Sequence, residues 1–202
     1  MKLKDGMLLY HGSYAYVEEI DLAQCVEGKD FGKGFYLTSN PNQARSFIRS
    51  SIIKARNSGQ IPFSQNFGYV SSFRFSYPKE NIPIQEFENA DKEWLWFISQ
   101  NRRKRLAREL VPLINNDIFS AEIVIGKIAN DTTNPVITTY LNGLYGDVKS
   151  EKAVSFAIDQ LLPDHLVDQF CFLTERAIGC LKFQEARKFE KRGRRLDAAM
   201  RA

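Results

Sequence analysis

Short apolar segments alternate with helical repeats along this chain, and their order predicts a mixed set of strands and helices. The first two segments, residues 8–10 and 34–38, have the length and composition of strands. After the second one, Ser39 or Asn40 can cap a helix that has Pro41 at its first position, and apolar residues recur at helical spacing over the residues that follow. The pattern therefore predicts a strand-turn-helix unit near the start of the chain.

The rest of the chain predicts further strands and helices in no regular alternation. One predicted helix is aromatic in its first half and basic in its second half. Leu95, Trp96 and Phe97 should form core, and Trp94, which cannot share a helix face with Trp96, should lie only partly in it. The remaining prediction is strands at residues 69–77, 121–130 and 168–174, and helices at residues 89–110, 149–161 and 175–192. Strands spaced so irregularly do not suit a doubly wound sheet, so we expect an α+β fold.

Length and charge indicate one domain with a basic appendage. The chain has 202 residues, 44% of them hydrophobic and 26% charged, which is enough for one compact core. Residues 184–202 hold seven Lys/Arg and three acids, and this excess equals the net charge of +4. We divide the chain into a domain at residues 1–184 and a basic helical extension at residues 185–202. The extension is either a solvated helix or an attachment point for anionic partners, nucleic acid included.

Several classes of protein are disfavoured by the residues present. His11 and His165 lack the Cys, His or carboxylate neighbours at fixed spacing that a metal site needs. No G-x-S-x-G motif of a serine hydrolase occurs, and the glycines of DFGKGFY precede a strand, whereas those of a dinucleotide-binding motif follow one. No segment resembles a membrane span, and the three cysteines show no paired spacing. We therefore expect no membrane partner and a cytoplasmic location.

Two predicted strands carry the residues best suited to a flat ligand. In LYHGS, His11 ends a strand and Gly12 follows it, and a glycine lets backbone approach a ligand because it has no Cβ. In GFYLT, Tyr36 lies on a neighbouring strand, where its ring can stack on an aromatic ring. The strand end at His11–Gly12 and the ring of Tyr36 together would suit the flat ring of a nicotinamide.

These motifs resemble the His-Tyr-Glu group of ADP-ribosyltransferases. The ordered set LYHGS, DFGKGFYLT, EIVIGKIAND and DQFCFLTERAIGCLKF is more closely similar to a bacterial family, the domain of unknown function 3990, which is placed with those enzymes. The likeness covers residues 7–184, nearly the whole chain apart from the basic tail. It implies an α+β fold of split antiparallel β-sheets flanked by helices, with NAD gripped between two small sheets and no metal.

The resemblance also implies a role for each matching residue. His11 would bond a ribose hydroxyl of NAD, Gly12 would offer backbone to the nicotinamide amide, and Tyr36 would stack on the nicotinamide. The third catalytic position, glutamate in the better-known group, falls on Gln169. The implied NAD-binding set is completed by Ser13, Gly34, Thr38 and Ser39.

Gln169 changes the chemistry that this third position can perform. A carboxylate would hold the ribose 2-hydroxyl and counter the charge of an oxocarbenium-like transition state. An amide oxygen accepts the same hydrogen bond, but it is uncharged and cannot serve as a general base. Glu175 is the competing acid, although about 20 Å of extended strand would separate it from Gln169. We interpret Glu175 as a carboxylate at the start of a helix.

The activity that the resemblance implies is mono-ADP-ribosyl transfer from NAD to a protein or nucleic-acid acceptor, with release of nicotinamide. It also implies a bacterial toxin-type effector of a toxin-antitoxin or phage-defence pair, held by a small antitoxin partner. Two alternatives stay open. One is a non-catalytic module that binds NAD or nucleic acid, and the other is an NAD glycohydrolase, in which water replaces the acceptor.

Two polar segments have both a structural and a functional interpretation. The basic run at residues 102–105 is either a solvated face or a patch that steers phosphates towards the protein. Asn130 and Asp131 follow a predicted strand, either as a turn pair or at the edge of the substrate cleft.

Overall fold

The computed structural model describes residues 2–127, 133–161 and 168–190. Its centre is one seven-stranded sheet in the order β4-β5-β6-β2-β1-β3-β7, antiparallel except where β4 pairs with β5. The strands are β1 (Leu8–Ser13), β2 (Phe35–Thr38), β3 (Phe67–Phe75), β4 (Ile84–Glu86), β5 (Ile123–Lys127), β6 (Asp168–Phe172) and β7 (Leu181–Glu190). The helices are α1 (Pro41–Asn57), α2 (Lys92–Arg102), α3 (Asn116–Phe119), α4 (Thr133–Leu141), α5 (Glu151–Leu161) and α6 (Glu175–Ile178). The predicted α+β fold is confirmed.

The two halves of the sheet are joined at a single residue pair. Tyr10 of β1 pairs with Thr38 of β2, and this is the whole ladder between those strands. On either side the pairing is extensive, because β1 pairs with β3 over six residues and β2 pairs with β6 over four. The predicted division into two sheets therefore takes the form of one sheet that opens in its middle.

Hydrophobic clusters cover both faces of the sheet. On one face α2, α4 and α5 pack over a cluster that includes Trp94 and Trp96, which are 0% and 7% exposed. The prediction that Trp96 lies in the core is confirmed, and Trp94 is more deeply buried than the partial burial predicted. Both indole nitrogens are satisfied, since Trp94 Nε1 donates to the Lys127 carbonyl and Trp96 Nε1 donates to the Tyr140 hydroxyl. The opposite face buries a second cluster, which includes Leu9, Phe35, Phe73, Phe170 and Phe172.

The predicted helix starts have a local cause in the sequence. The Asn40 side chain accepts hydrogen bonds from the amides of the first turn of α1, and Pro41 occupies its first position, where no N–H is needed. Asp91 caps α2 in the same way. That helix ends at Arg102, so the predicted helical continuation through residues 103–110 is wrong. A turn and a 3-10 helix at Arg108–Leu113 take its place.

The predicted last helix at residues 175–192 is also wrong. Of its described residues, only Glu175–Ile178 is helical, and the chain then enters the ten-residue strand β7, nine residues of which pair with β3. The helical extension predicted from residue 185 is corrected accordingly, because residues 185–190 belong to the sheet. Pairing with β3 stabilises the strand conformation of this segment more than its helical propensity stabilises a helix. Residues 191–202 lie outside the described residues.

The short strand β4 and the helices α3 and α4 were not predicted from the sequence. No helix of residues 2–127, 133–161 or 168–190 is long and apolar enough to cross a membrane. Asn130 and Asp131, which were candidates for the edge of the substrate cleft, lie outside the described residues, as does His165, which the sequence disfavoured as a metal ligand.

Candidate functional site

His11 lies where the two halves of the sheet separate. It is the residue after the single β1–β2 pair, and its Nδ1 is 2.8 Å from the backbone carbonyl oxygen of Tyr36. If the β1–β2 ladder continued, a backbone N–H of β1 would bond to a carbonyl of β2. Here the imidazole of His11 bonds to the Tyr36 carbonyl instead. Its ring also packs on Phe35, with ring centroids 4.5 Å apart.

These contacts determine the tautomer of His11. A carbonyl oxygen only accepts, so Nδ1 must carry the proton, and the neutral ring then presents Nε2 as an acceptor. The structure shows no protein donor to Nε2 within its described ranges. Burial lowers the pKa of His11 below its usual value, more than the bond to Tyr36 raises it, and the nearby Lys29 lowers it further. His11 is therefore a neutral hydrogen-bond acceptor at neutral pH.

The opening exposes one side of the β1 backbone. Beyond Tyr10, β1 keeps its partner β3, but no strand among the described residues pairs with the side that faces β2. Alternate backbone groups of an antiparallel strand point to each side. No strand in the described part of the chain pairs with that side of His11–Ser13, and the His11 side chain spans the gap to the Tyr36 carbonyl.

Close packing of α1 on β1 explains why residue 12 is a glycine, and the sequence did not reveal this reason. A Cβ at this position would lie 1.7 Å from the backbone oxygen of Ala44 in α1. Only a glycine lets α1 pack this closely on β1. Gly34 is similarly confined, because a Cβ there would lie 2.6 Å from the sulfur of Cys171 and 2.7 Å from the Phe172 oxygen. Both glycines of the predicted NAD-binding set are thus required by packing within the protein.

Tyr36 is fixed by a loop that precedes its own strand. Its hydroxyl accepts from the Phe31 amide at 3.0 Å and donates to the Gly32 carbonyl at 2.8 Å. Its half-buried ring lies nearly parallel to that of Phe31, with centroids 6.4 Å apart. Burial raises the pKa of Tyr36 well above its usual value, so the hydroxyl stays protonated.

The remaining members of the predicted set differ in accessibility. Thr38 is buried, and its hydroxyl donates to Gln43 and accepts from the Asn40 amide, so it builds the turn into α1. Ser13 is also buried and accepts from the Ala15 amide at 3.3 Å. Ser39 follows Thr38 in the same turn and is partly exposed.

Gln169 lies beside the opening on the face that carries Tyr36. It pairs with Thr38 across β2 and β6, and Tyr36 pairs with Cys171 two residues away. Side chains two apart share a face, and diagonal neighbours there lie about 7–8 Å apart. Gln169 is partly exposed, and its side-chain amide makes no hydrogen bond to the described part of the chain. The fold thus brings Gln169 near Tyr36, while His11 packs on Phe35, which belongs to the opposite face.

Neither neighbouring acid is placed to take over from Gln169. Glu175 lies in the first turn of α6, capped by Thr174, at the far end of β6. Its interpretation as a helix-start carboxylate is confirmed. Asp168 is buried and forms an ion pair with Lys127 at 3.5 Å.

The loop that holds Tyr36 is itself tied to the end of α2. Arg102 forms an ion pair with the buried carboxylate of Asp30, and the two side chains are 16% and 4% exposed. Asn101 donates to the Asp30 carbonyl at 3.1 Å, and Lys104 lies 3.6 Å from Glu27. The basic run is therefore not uniformly solvated, because Arg102 anchors the loop. Asp30 was missed by sequence reasoning, since nothing local marks a partner 72 residues away.

Lys29 of the same loop lies near two other cations, Lys54 and Arg102. The pKa of Lys29 is lowered, first by burial and then by the charges of Lys54 and Arg102. The charge of Lys29 also lowers the pKa of His11. The charge of Arg102 is paired with Asp30, whose carboxylate also acts on Lys29 and raises its pKa. No cluster of three potential metal-ligating side chains occurs in the described part of the chain.

Comparison with known proteins assigns the chain to one family. Residues 7–183 match the family described as "Protein of unknown function (DUF3990)", so the chain belongs to that family. The match includes β1 to β6 and the first residues of β7, and with them His11, Tyr36 and Gln169. No curated protein matches the chain.

Proposed function

We propose that this protein is a mono-ADP-ribosyltransferase that takes NAD as its substrate. The observation that carries the proposal is the opening of the sheet at a single residue pair, with His11 held inside it and Tyr36 and Gln169 beside it. Three of the similar motifs lie at or beside this opening, on β1, β2 and β6, and the His11 side chain lies on the opposite face of the sheet from those of Tyr36 and Gln169.

The state of His11 suits a sugar hydroxyl. Its Nδ1 is committed to the Tyr36 carbonyl, and Nε2 offers a lone pair in a fixed direction. A ribose hydroxyl can donate to that lone pair. The unpaired backbone side of His11–Ser13 lies next to it, where a carboxamide can find both a donor and an acceptor.

The cations near the opening suit the diphosphate of NAD. Burial is the main cause that lowers the pKa of Lys29, and repulsion by the charge of Lys54 lowers it further. A bound diphosphate would relieve this repulsion, because an opposite charge favours the protonated form of each lysine.

The reaction breaks one bond and forms one. The bond from the ribose C1 atom to nicotinamide breaks, nicotinamide departs with the bonding electron pair as a neutral molecule, and an acceptor nucleophile bonds to C1. Tyr36 would orient the nicotinamide, and Gln169 would accept a hydrogen bond from the ribose. Because Gln169 cannot remove a proton, we expect an acceptor that is already nucleophilic, such as a carboxylate or a base nitrogen.

The biological setting follows from the resemblance alone. We include in the proposal a bacterial toxin-type role in the cytoplasm, with a protein or nucleic acid as acceptor and a small antitoxin as partner.

The test is incubation of the purified protein with NAD labelled in its adenine half and separate pools of bacterial protein, RNA and DNA. We expect label in one pool, with equimolar release of nicotinamide. His11→Ala and Tyr36→Ala should reduce transfer by about 10²–10³-fold, the usual effect of removing a group that stabilises the transition state. Thermal unfolding of each variant checks that it folds.

Gln169→Glu provides a sharper version of the test. A carboxylate should raise the rate, because it adds the missing charge at the transition state. Gln184→Glu makes the same chemical change on the exposed strand β7 and should leave the rate unchanged. Bound NAD without nicotinamide release would instead favour the non-catalytic module, whereas free ADP-ribose with no labelled pool would favour the glycohydrolase.

A further inference from the structure

One long segment of the chain carries positive charge and no acid. Residues 31–79 contain seven Lys/Arg and no Asp or Glu. This charge exceeds the net charge of the whole chain, +4, so the rest of the chain is net negative. Within residues 2–127, 133–161 and 168–190, none of the seven cations lies within ion-pair distance of a carboxylate, whereas cations elsewhere, such as Arg102 and Arg176, do.

Helix α1 presents the densest part of this charge. Four of its 17 residues are basic and none is acidic. Three of them, Arg45, Arg49 and Arg56, lie within about 40° of each other around the helix axis, because each residue advances the helix by about 100°. Arg45 and Arg49 are exposed, and Arg56 is partly exposed and donates to the Gln65 carbonyl. We call Arg45, Arg49 and Arg56 the arginine row.

An aromatic ring of the sheet supports one end of the arginine row. The guanidinium carbon of Arg45 lies 4.8 Å from the centre of the Phe189 ring of β7. A guanidinium over a ring face keeps the N–H groups at its edge accessible to another partner. The side chains of Arg45 and Arg49 make no hydrogen bond or ion pair to the described part of the chain.

The surroundings of the arginine row favour a nucleic acid over other anionic partners. The apolar side of α1, with Ala44, Ile48 and Ile52, is buried, so the helix cannot insert it into a lipid surface. Ile53 is the only large hydrophobic side chain exposed on α1. The core of a protein–protein interface is depleted of charge and enriched in aromatic residues, which this surface does not offer. Contacts to phosphates need only accessible cations.

The length of the arginine row also suits a chain of phosphates. Arg45 and Arg56 are about 17 Å apart along the helix axis, and one strand of a duplex carries about five phosphates over that length. A guanidinium matches two phosphate oxygens at once. Because no carboxylate of the described residues pairs with the row, a phosphate displaces no ion pair when it binds.

We propose that the arginine row of α1 binds nucleic acid through its phosphates. Phosphate contacts position a nucleic acid without reading its sequence, so binding should be largely independent of base sequence.

The helix that carries the row also borders the opening of the sheet. Ala44, the residue before Arg45, packs on β1 where a Cβ of residue 12 would lie. A nucleic acid bound to the row would therefore lie close to the helix–strand contact beside the opening. If the protein transfers ADP-ribose as proposed, the bound nucleic acid is then the favoured acceptor. That consequence rests on the proposed function, whereas binding itself does not.

The experiment measures binding of fluorescent RNA, single-stranded DNA and duplex DNA to the full-length protein without NAD, at increasing salt concentration. We expect binding that weakens as salt increases. Arg45→Gln/Arg49→Gln removes two charges from exposed positions, and glutamine suits a helix, so the fold should survive. In about 0.1 M salt this variant should bind about 25- to 60-fold more weakly, because each phosphate that is no longer neutralised removes a factor of about 5–8. The slope of log K against log salt should decrease by about 1.4–1.8.

Two control variants separate the arginine row from charge in general. Lys149→Gln/Lys152→Gln removes the same number of charges from exposed positions beside and within α5 and should leave the affinity nearly unchanged. Arg45→Lys/Arg49→Lys keeps both charges and should keep the salt dependence of the parent. All variants contain residues 191–202, so this basic segment contributes equally to each measurement.

Three results would each overturn the proposal. The first is no binding of any of the three nucleic acids. The second is an Arg45→Gln/Arg49→Gln protein that binds as tightly as the parent. The third is tighter binding of phosphatidylserine vesicles or of polyglutamate than of nucleic acid, which would assign the row to a membrane or to an acidic protein. None of these measurements contains NAD, so their outcome does not depend on whether the protein transfers ADP-ribose.

Discussion

Gly12→Ala tests whether close packing of α1 on β1 holds the opening of the sheet in place. The added Cβ would lie 1.7 Å from the Ala44 oxygen and 2.6 Å from its carbon. An ordinary contact begins at about 3.4 Å, so the helix and the strand would have to separate by roughly 1.7 Å, the difference between the two distances. Both obstructing atoms belong to backbone, and no rotamer change can relieve them.

The expected cost is at the upper end of what overpacking produces. Inserting a methyl group into a packed region costs about 1–3 kcal/mol. The separation would also loosen the packing of α1 on β1 and β3, where the helix buries Ala44, Ile48 and Ile52. We therefore expect stability to fall by at least about 3 kcal/mol. For a chain of this length that corresponds to a decrease in Tm of about 6–12 °C.

The assay is urea and thermal unfolding of purified variants, followed by circular dichroism. Gly179→Ala is the matched control, because Gly179 has ordinary backbone angles and a Cβ there would come no closer than 3.3 Å to any atom. It should change stability by less than about 1 kcal/mol. The double variant Gly12→Ala/Ala44→Gly should not recover, because the clash is with the backbone of residue 44. A Gly12→Ala protein as stable as the parent, or a full rescue by Ala44→Gly, would refute the reasoning.

Two further predictions concern groups around the site. Arg102→Ala should cost about 3–5 kcal/mol in urea unfolding, because it leaves the Asp30 carboxylate buried without its partner. For His11, burial lowers the folded-state pKa below its value near 6.5 in the unfolded chain. The unfolded state therefore binds the proton more readily, and stability is complete above that value and decreases as pH falls below it, by at most about 1.4 kcal/mol per pH unit. Urea midpoints between pH 8 and pH 5 measure this slope.

Each of these has its own control. Lys104→Ala removes a cation from the same basic run, but its contact with Glu27 is exposed on both sides, so it should cost less than about 1 kcal/mol. An Arg102→Ala protein no less stable than Lys104→Ala would contradict the anchoring role. His11→Asn should flatten the pH dependence, and an unchanged slope in that variant would assign the dependence to other groups.

Local sequence features predicted the elements whose causes are local. The N-cap Asn40 and the following Pro41 start α1 through bonds within one turn. Leu95, Trp96 and Phe97 were expected in the core from the aromatic first half of the predicted helix, and all three are buried. The same kind of signal failed for β7, because its residues also fit a helix and only the ladder with β3 decided the outcome.

Much of the candidate site depends on partners distant in sequence. His11, Tyr36 and Gln169 were predicted from motifs, but the bond from His11 to the Tyr36 carbonyl joins residues 25 apart. The ion pair of Asp30 with Arg102 joins residues 72 apart. In neither case do the residues adjacent in sequence to one partner indicate which distant residue it contacts.

The sequence by itself determined the class of fold, most of the strands and helices, and the residues that deserve a test. Only the tertiary structure decided that the sheet opens after one pair, that Gly12 is small to admit α1, and that the last long segment is a strand. The physical reason is that capping and periodicity act within a few residues, whereas strand pairing, close backbone approach and buried ion pairs depend on which distant segments the fold brings together.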